Sequence, residues 1–242
     1  MKKTIEDASC STNYASDNDI FEKYSNRFKN EEYASAYSGQ LIASRGTKIP
    51  IRVQLIGRIV AHFEKRAISK LLRHTEGSSI IDVPCGSGKL NPILRQTKCQ
   101  IISIDASPQM IKYAKGTSTQ QFRFILSDIR HIPLENGSAD IVISNRFLHR
   151  IPAEKHEEVL KELFRVANNS AILYFGSTTI FTPLIMKLEK IFRLGDRGDI
   201  YYLEYEKIVK EIEENNWRCI KKMRVIPLVS TGIVVLTEKL DG

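Results

Sequence analysis

The hydrophobic pattern divides the chain into an N-terminal helical part and a longer part with short apolar runs. After Pro50, apolar residues recur at steps of three and four, which predicts a long amphipathic helix over 51–74. We assign its apolar face to Leu55, Ile56, Ile59, Val60, Phe63, Ile68, Leu71 and Leu72. The other face is basic. We interpret it as a solvated surface, with contact to an anionic substrate as the alternative.

From residue 78 onward, short apolar runs alternate with helical patterns, which is typical of successive βα units and a parallel sheet. The predicted strands are 79–83, 100–104, 122–126, 140–144 and 171–175. Two further runs, 217–226 and 232–237, are joined around Pro227 and indicate an antiparallel pair at one sheet edge. We therefore predict an α/β fold: a doubly wound, Rossmann-like, mainly parallel seven-stranded sheet with an antiparallel C-terminal edge and a helical N-terminal appendage.

Changes in polarity and in the hydrophobic pattern along the chain also suggest domain boundaries. Residues 1–19 are polar and predict a disordered tail, 20–77 a helical cap, and 78–242 the α/β domain. The segment 178–198 has an apolar helical stripe, which predicts a helix covering the core or a lid over an apolar pocket. Tyrosines that could line the same pocket are Tyr24, Tyr33, Tyr37, Tyr201 and Tyr202.

Composition narrows the class of protein. With 242 residues, 42% hydrophobic and 26% charged, the chain has enough apolar material for a core, which excludes a disordered or collagenous protein. The net charge of +8 is compatible with an anionic partner, although solubility is the simpler explanation. The four cysteines form neither a CxxC pair nor a Cys/His cluster, so we expect no structural zinc and no disulfide framework. No stretch has the pattern of a signal peptide or a membrane span, so we expect a soluble, cytoplasmic protein.

The first predicted strand leads into a glycine-rich loop, Asp82-Val83-Pro84-Cys85-Gly86-Ser87-Gly88-Lys89-Leu90. Ligands of open α/β sheets bind at the carboxyl ends of the strands, and Gly86 and Gly88 would let a ligand approach the backbone closely. A P-loop is excluded because its first glycine is missing and Leu90 replaces its Ser/Thr. A dinucleotide fingerprint is incomplete because Asn91 stands at the third glycine position. A nucleoside ligand without a diphosphate is the remaining interpretation.

Two acids follow the next two predicted strands in order. Asp105 lies 17 residues beyond Gly88, where its carboxylate could accept hydrogen bonds from both hydroxyls of a ribose. Asp128 follows the third strand; alone, an acid there is more often a turn residue. Ser107 and Pro108 have the pattern of a helix N-cap and first helical residue. The glycine loop, Asp105 and Asp128, in this order and each at a strand end, indicate a nucleoside site more specifically than any one of them alone.

These segments, over about residues 78–238, resemble the class I S-adenosylmethionine-dependent methyltransferases, and the Asp-x-Pro-Cys-Gly-x-Gly loop resembles that of a small-molecule subset. The resemblance implies S-adenosyl-L-methionine as cofactor and S-adenosyl-L-homocysteine as product. It also implies that Asp128 accepts from the adenine amino group. We expect no metal, because no set of His, Asp and Glu has the spacing of metal ligands. The cofactor-binding residues that the resemblance implies are Asp82, Pro84, Cys85, Gly86, Gly88, Asp105, Ala106, Met110, Asp128, Ile129 and Ser144.

The acceptor side of the predicted site is less defined. His149 follows the fourth strand and is the candidate general base, with a packing role as the alternative. Arg146 is interpreted as a surface residue, with binding of an acidic substrate group as the alternative. The Asn/Asp-Pro-Pro-Tyr motif of amino-methylating enzymes is absent.

The predicted function is methyl transfer to oxygen, nitrogen or carbon of a small, partly apolar molecule. The alternatives are an RNA or protein methyltransferase and a non-catalytic S-adenosylmethionine-binding protein. We expect a small-molecule acceptor as partner, no nucleic acid, no stable membrane insertion, and a monomer or homodimer.

Overall fold

The computed structural model describes residues 20–31, 34–35, 51–180, 182, 187, 200–226 and 230–240. The predictions for the tail 1–19, for Tyr33 and Tyr37, for most of the insertion 178–198 and for Pro227 lie outside the described residues, as does the side chain of Tyr24. The domain boundaries stay predictions.

A single seven-stranded sheet forms the centre of the protein and confirms the predicted fold class. Its strands are β1 (Ser79–Asp82), β2 (Gln100–Asp105), β3 (Phe122–Leu126), β4 (Ala139–Ser144), β5 (Ala167–Gly176), β6 (Trp217–Arg224) and β7 (Gly232–Lys239). The spatial order is β3-β2-β1-β4-β5-β7-β6; β1 to β5 run parallel, and β7 pairs antiparallel with β5 and β6. The strand order reverses between β1 and β4, which is where open α/β sheets place their ligands.

Helices cover both faces of the sheet. They are α1 (Ile20–Arg27), α2 (Ile51–Leu72), α3 (Asn91–Leu94), α4 (Pro108–Lys115), α5 (His156–Val166) and α6 (Tyr205–Glu213), with a 3₁₀ turn at Leu148–Arg150. The predicted helix start before α4 is confirmed: the Ser107 side chain accepts from the Met110 amide, and Pro108 occupies the first turn.

Alternating residues of the strands pack into two apolar clusters, one on each face. Ile81 packs with α5 and α6, where the rings of Phe164 and Trp217 stack with centroids 4.5 Å apart. Ile80 packs on the other face with Ile68 and Leu71 of α2. Burial on both faces explains why the parallel strands are apolar runs without strict alternation.

Helix α2 buries only part of the predicted apolar face: Ile68 and Leu71 are fully buried, whereas three other residues of that face are exposed. Leu55, Ile59 and Phe63 are 58%, 46% and 37% exposed, whereas Glu64 is only 4% exposed. Glu64 lies at helical spacing from Ile68, and its carboxylate is bonded to residues beyond β4. The side of the helix that faces the sheet therefore carries the Glu64 carboxylate as well as apolar side chains of its C-terminal half. The hydrogen bonds of Glu64 join α2 to the loop after β4, at the carboxyl ends of the strands.

Candidate functional site

The glycine-rich loop after β1 is anchored to both neighbouring strands. The Val83 amide donates to the Ile143 carbonyl at 2.9 Å, and the Cys85 amide donates to the Ile104 carbonyl at 2.8 Å. The Val83–Pro84 peptide bond is cis. The loop therefore lies across the carboxyl ends of β2, β1 and β4, at the point where the strand order reverses.

The two glycines of this loop differ in what surrounds them. Gly86 has φ +53°, and a Cβ built on it would meet nothing within 4 Å. Gly88 has φ +75°, and its Cβ would lie 2.5 Å from Nδ2 of Asn91 and 3.0 Å from Cα of Ala114. A side chain at Gly88 would therefore overlap α3 and α4, so packing requires a glycine there, and its predicted part in ligand binding stays a prediction. Only Gly86 borders open space.

Asn91, which replaces the third glycine of a dinucleotide fingerprint, has a structural role. Its Nδ2 donates to the Ala114 carbonyl at 2.9 Å and to the Thr117 hydroxyl at 3.0 Å. These bonds connect the start of α3 to the end of α4 directly over Gly88.

Asp105 lies at the end of β2 and joins two loops. Its Oδ2 accepts from the Gly86 amide at 2.8 Å, and its Oδ1 accepts from the Ser107 amide at 2.9 Å. Burial raises the pKa of this carboxyl to about 6, although hydrogen bonds from the amides of Ser107, Gly86 and Ala106 oppose the shift. The acid stays ionised at neutral pH, with its orientation set by the backbone.

Asp82, at the end of β1, is 1% exposed, and neither of its carboxyl oxygens has a hydrogen-bond partner among the described residues. The neighbouring Ser103 hydroxyl, in register with Asp82, is also buried without a partner. Burial, followed by the charge of Asp105, raises the pKa of Asp82 to about 8. The ligand-free protein therefore holds a protonated acid here, and a cationic group beside it would restore the carboxylate.

Asp128 follows β3 and is engaged by Arg130. The guanidinium Nε donates to Oδ1 at 3.0 Å and Nη2 donates to Oδ2 at 2.8 Å, and the Arg130 amide also donates to Oδ1 at 2.9 Å. Burial opposes ionisation of Asp128, but these bonds and the charge of Arg130 outweigh it and lower the pKa. A hydrogen bond from the Ser127 amide to the Asp105 carbonyl, 3.1 Å, keeps this loop beside Asp105.

Three other predicted residues are buried in the packing around the loops. Met110 is 1% exposed on α4, Ile129 belongs to the cluster under α5 and α6, and Cys85 is 6% exposed. Burial, Asp105 and Asp82 raise the pKa of the Cys85 thiol well above its usual range, so the thiol stays neutral. This agrees with a packing role for Cys85.

His149 lies in the 3₁₀ turn after β4 and is 7% exposed. Its ring packs against Tyr174 of β5 with centroids 4.9 Å apart, and its Nδ1 has no hydrogen-bond partner among the described residues. Burial, followed by the charges of Arg150 and Arg146, lowers the pKa of His149 well below its usual range. The imidazole is therefore neutral at physiological pH and able to take up a proton. Ser144, at the end of β4, likewise has a buried hydroxyl without a described partner.

Glu64 of α2 is a site residue that the sequence analysis missed. Its carboxylate accepts from Asn145 Nδ2 at 2.7 Å and from Arg146 Nε at 2.5 Å. These bonds hold the loop after β4, where Arg146 has φ +58°. The available signal was an acid within the apolar pattern of a long helix. Arg146, interpreted above as a surface residue, has its side chain only 29% exposed.

Within the described ranges, no group of three or more His, Cys, Asp or Glu side chains is placed to hold a metal ion. The same residues contain no helix with the length and hydropathy needed to cross a bilayer. The described cysteines, Cys85, Cys99 and Cys219, are free thiols.

Comparisons with known proteins bear on this arrangement. Residues 81–175, from β1 to β5, match the family model described as a methyltransferase domain. The magnesium protoporphyrin IX methyltransferase of Synechocystis, solved with bound S-adenosylhomocysteine, superposes with a TM-score of 0.69, covering 91% of this chain and 100% of that one at 18% identity. Residues 81–175 of this chain are similar to a methyltransferase domain. The family resemblance inferred from the glycine loop and its two acids is confirmed.

Relatives of this methyltransferase domain include enzymes with different substrates. A malonyl-[acyl-carrier protein] O-methyltransferase of Hamiltonella defensa is 29% identical over 120 residues, 48% of this chain and 45% of that protein. A mouse tRNA (carboxymethyluridine(34)-5-O)-methyltransferase is 28% identical over 131 residues, 50% of this chain and 19% of that protein. The chain spans about half the length of the first relatives that it matches.

The contrast between the two glycines predicts different costs for adding a methyl group. Gly88→Ala should lower the free energy of unfolding by about 2–4 kcal/mol, because left-handed strain is joined by overlap with Asn91 and Ala114. Gly86→Ala should cost about 1 kcal/mol, because only the strain applies. Urea unfolding of both variants tests this; equal losses would contradict the assignment of Gly88 to packing.

The buried Asp82 predicts a pH-dependent stability difference. Its folded pKa lies above its unfolded value, so its contribution is most favourable at low pH and is lost as the pH rises toward 8. Asp82→Asn should therefore be more stable than the wild type by a margin that grows by about 1–3 kcal/mol between about pH 6 and pH 9. Urea unfolding without ligand at both pH values measures the margin. A margin independent of pH would mean that Asp82 is already ionised in the ligand-free protein.

Proposed function

We propose that the protein is an S-adenosylmethionine-dependent methyltransferase that acts on a small molecule. The observation that supports it most is the buried Asp105 carboxylate, fixed by the Gly86 and Ser107 amides at the carboxyl end of β2. That oriented anion lies within a domain that matches the methyltransferase model.

The described residues fit an adenosyl amino acid. Each oxygen of Asp105 has capacity to accept a further bond, which suits the two hydroxyls of a ribose. The open space at Gly86 allows close approach to the loop, and the unpartnered Asp82 suits the cationic amino group of the methionyl part. Asp128 and the amide of Ile129 would face the adenine, with Ala106 and Met110 beside the adenosine. These residue assignments, with those of Pro84, Cys85, Gly88 and Ser144, are proposals.

When bound, S-adenosylmethionine supplies an activated methyl group on a sulfonium. The protein then needs to orient an acceptor and, where the acceptor is a hydroxyl or an amine, to remove its proton. His149 can take up that proton because its ring is neutral and its Nδ1 is unpartnered. Tyr174, beside it, stays a phenol because burial raises its pKa to about 12.

The surroundings of His149 suggest a partly apolar acceptor. Its ring and that of Tyr174 offer aromatic surface, while Glu64 and Arg146 provide polar groups at the same end of the sheet. We propose oxygen as the acceptor atom, since the malonyl-[acyl-carrier protein] relative is named as an O-methyltransferase. An acceptor carboxylate would need no base, whereas a hydroxyl would use His149. The named tRNA-modifying relative makes RNA the alternative to be tested.

A cytoplasmic location and a monomeric or homodimeric state, both expected from the sequence, stay predictions.

Cofactor binding tests the proposal directly. The wild type should bind S-adenosylhomocysteine, and Asp105→Ala should weaken binding by about 1.5–3 kcal/mol, the value of hydrogen bonds to a charged group. Isothermal titration calorimetry measures the dissociation constants. Glu157→Gln is the matched control, because Glu157 is an exposed acid paired only with Lys161 among the described residues. No heat of binding for the folded wild type would overturn the proposed function; unchanged affinity in folded Asp105→Ala would remove Asp105 from the site.

Substitution of His149 separates a base from a packing residue. Transfer of radioactive methyl from S-adenosylmethionine should be measured to a malonyl thioester, a panel of phenols and bulk tRNA. With a hydroxyl acceptor, His149→Gln should lower kcat about 100-fold, within the range of general-base catalysis, and leave the affinity for S-adenosylhomocysteine unchanged. Because the pKa of His149 is lowered, wild-type activity should stay level above about pH 6.5. An equal loss of affinity and rate would assign His149 to packing, and transfer to tRNA alone would favour the alternative function.

A further inference from the structure

Arg130 connects the N-terminal helix to the loop after β3. The centre of its guanidinium lies 4.2 Å from the centroid of the Phe21 ring, and its edge makes the two hydrogen bonds to Asp128. The side chain of Arg130 is 12% exposed, and Phe21 is 4% exposed. The planar cation therefore packs its face on α1 and directs its edge at a carboxylate.

The segment that contains Phe21 also contacts other parts of the site. The Phe21 ring lies 6.2 Å from that of Phe147, in the loop after β4. The Phe28 carbonyl accepts from the hydroxyl of Ser107, whose amide holds Asp105. An exposed ion pair, Glu31 with Lys112, adds a contact to α4 that does not reach the β3 loop. Helix α1 and the residues just after it thus rest on the loops that carry Asp105 and Asp128.

A carboxylate recognises a purine 6-amino group only when one of its oxygens points along the N–H direction. Asp128 is partly exposed, and without a partner its side chain would rotate among several orientations. The paired hydrogen bonds from Arg130 select one orientation. Oδ1 accepts from both the amide and Nε of Arg130, whereas Oδ2 accepts from Nη2 and keeps capacity for a further donor. The Phe21 ring in turn limits where the guanidinium can lie.

We propose that Arg130 is a positioning residue that sets the purine specificity of the site: it orients Asp128 to accept from a 6-amino group and couples that orientation to the docking of α1. This inference rests on the proposed function, since it concerns the adenine end of the same site. It assigns Phe21 and α1 a part in cofactor recognition that goes beyond covering the core.

The test compares S-adenosylhomocysteine with S-inosylhomocysteine, in which the 6-amino group is replaced by an oxo group. The wild type should prefer the adenine compound by about tenfold or more, the effect of one hydrogen bond to a charged group. Arg130→Ala should reduce this preference by about fivefold or more, mainly by weaker binding of the adenine compound. Arg130→Lys keeps the charge but loses the paired hydrogen bonds. Its preference for the adenine compound should lie between that of the wild type and that of Arg130→Ala. Phe21→Leu, which keeps apolar volume without an aromatic face, should also reduce the preference.

The control is Lys112→Ala, which removes the ion pair with Glu31 among the described residues and should leave the preference unchanged. Hydrogen exchange gives a second readout: the α1 amides should gain protection on adding S-adenosylhomocysteine in the wild type and Lys112→Ala, but not in Arg130→Ala. Equal weakening of both compounds by Arg130→Ala and Arg130→Lys would overturn the inference, because it would indicate general loosening. A wild type that binds neither compound would instead overturn the proposed function itself.

Discussion

The carboxylate of Asp105 holds together the two loops on which the proposed cofactor site is built. One oxygen fixes the glycine loop through Gly86, and the other fixes the start of α4 through Ser107. Removing a carboxylate from water is costly, and these amides offset the cost because they are already directed at it. With Asp82 buried close by, two acids share a region with little solvent. Under the proposed function, the cationic group of the cofactor would favour ionisation of Asp82.

The helices that precede the sheet take part in the site at both of its ends. Glu64 of α2 accepts hydrogen bonds from Asn145 and Arg146, beside the proposed acceptor. Phe21 of α1 packs against Arg130, beside the proposed adenine position. The part predicted as a separate helical cap therefore supplies groups that orient loops of the sheet. Changes in this part would be expected to alter ligand binding without touching the glycine loop.

Local sequence patterns predicted the fold closely where they reflect burial. The strand runs, the N-cap at Ser107 and the antiparallel pair at the C-terminal edge are all confirmed, because each follows from apolar spacing or capping chemistry of neighbouring residues. The predicted apolar face of α2 was wrong for Leu55, Ile59 and Phe63, which are exposed. Glu64, which the apolar pattern left out, is buried against partners that follow β4, and no local pattern reports those partners.

By itself, the sequence determined the sheet, the resemblance to methyltransferases and the order of glycines and acids along the strand ends, because these depend on residues close together in the chain. Only the tertiary structure decided that a side chain at Gly88 would meet α4, while Gly86 borders open space. It also decided that Asp82 has no hydrogen-bond partner among the described residues, and that Arg130 packs on Phe21 while it donates to Asp128. Those outcomes depend on which side chains from distant segments come within a few ångströms of one another. Distance in space, burial and hydrogen-bond geometry are set by the packing of the whole chain.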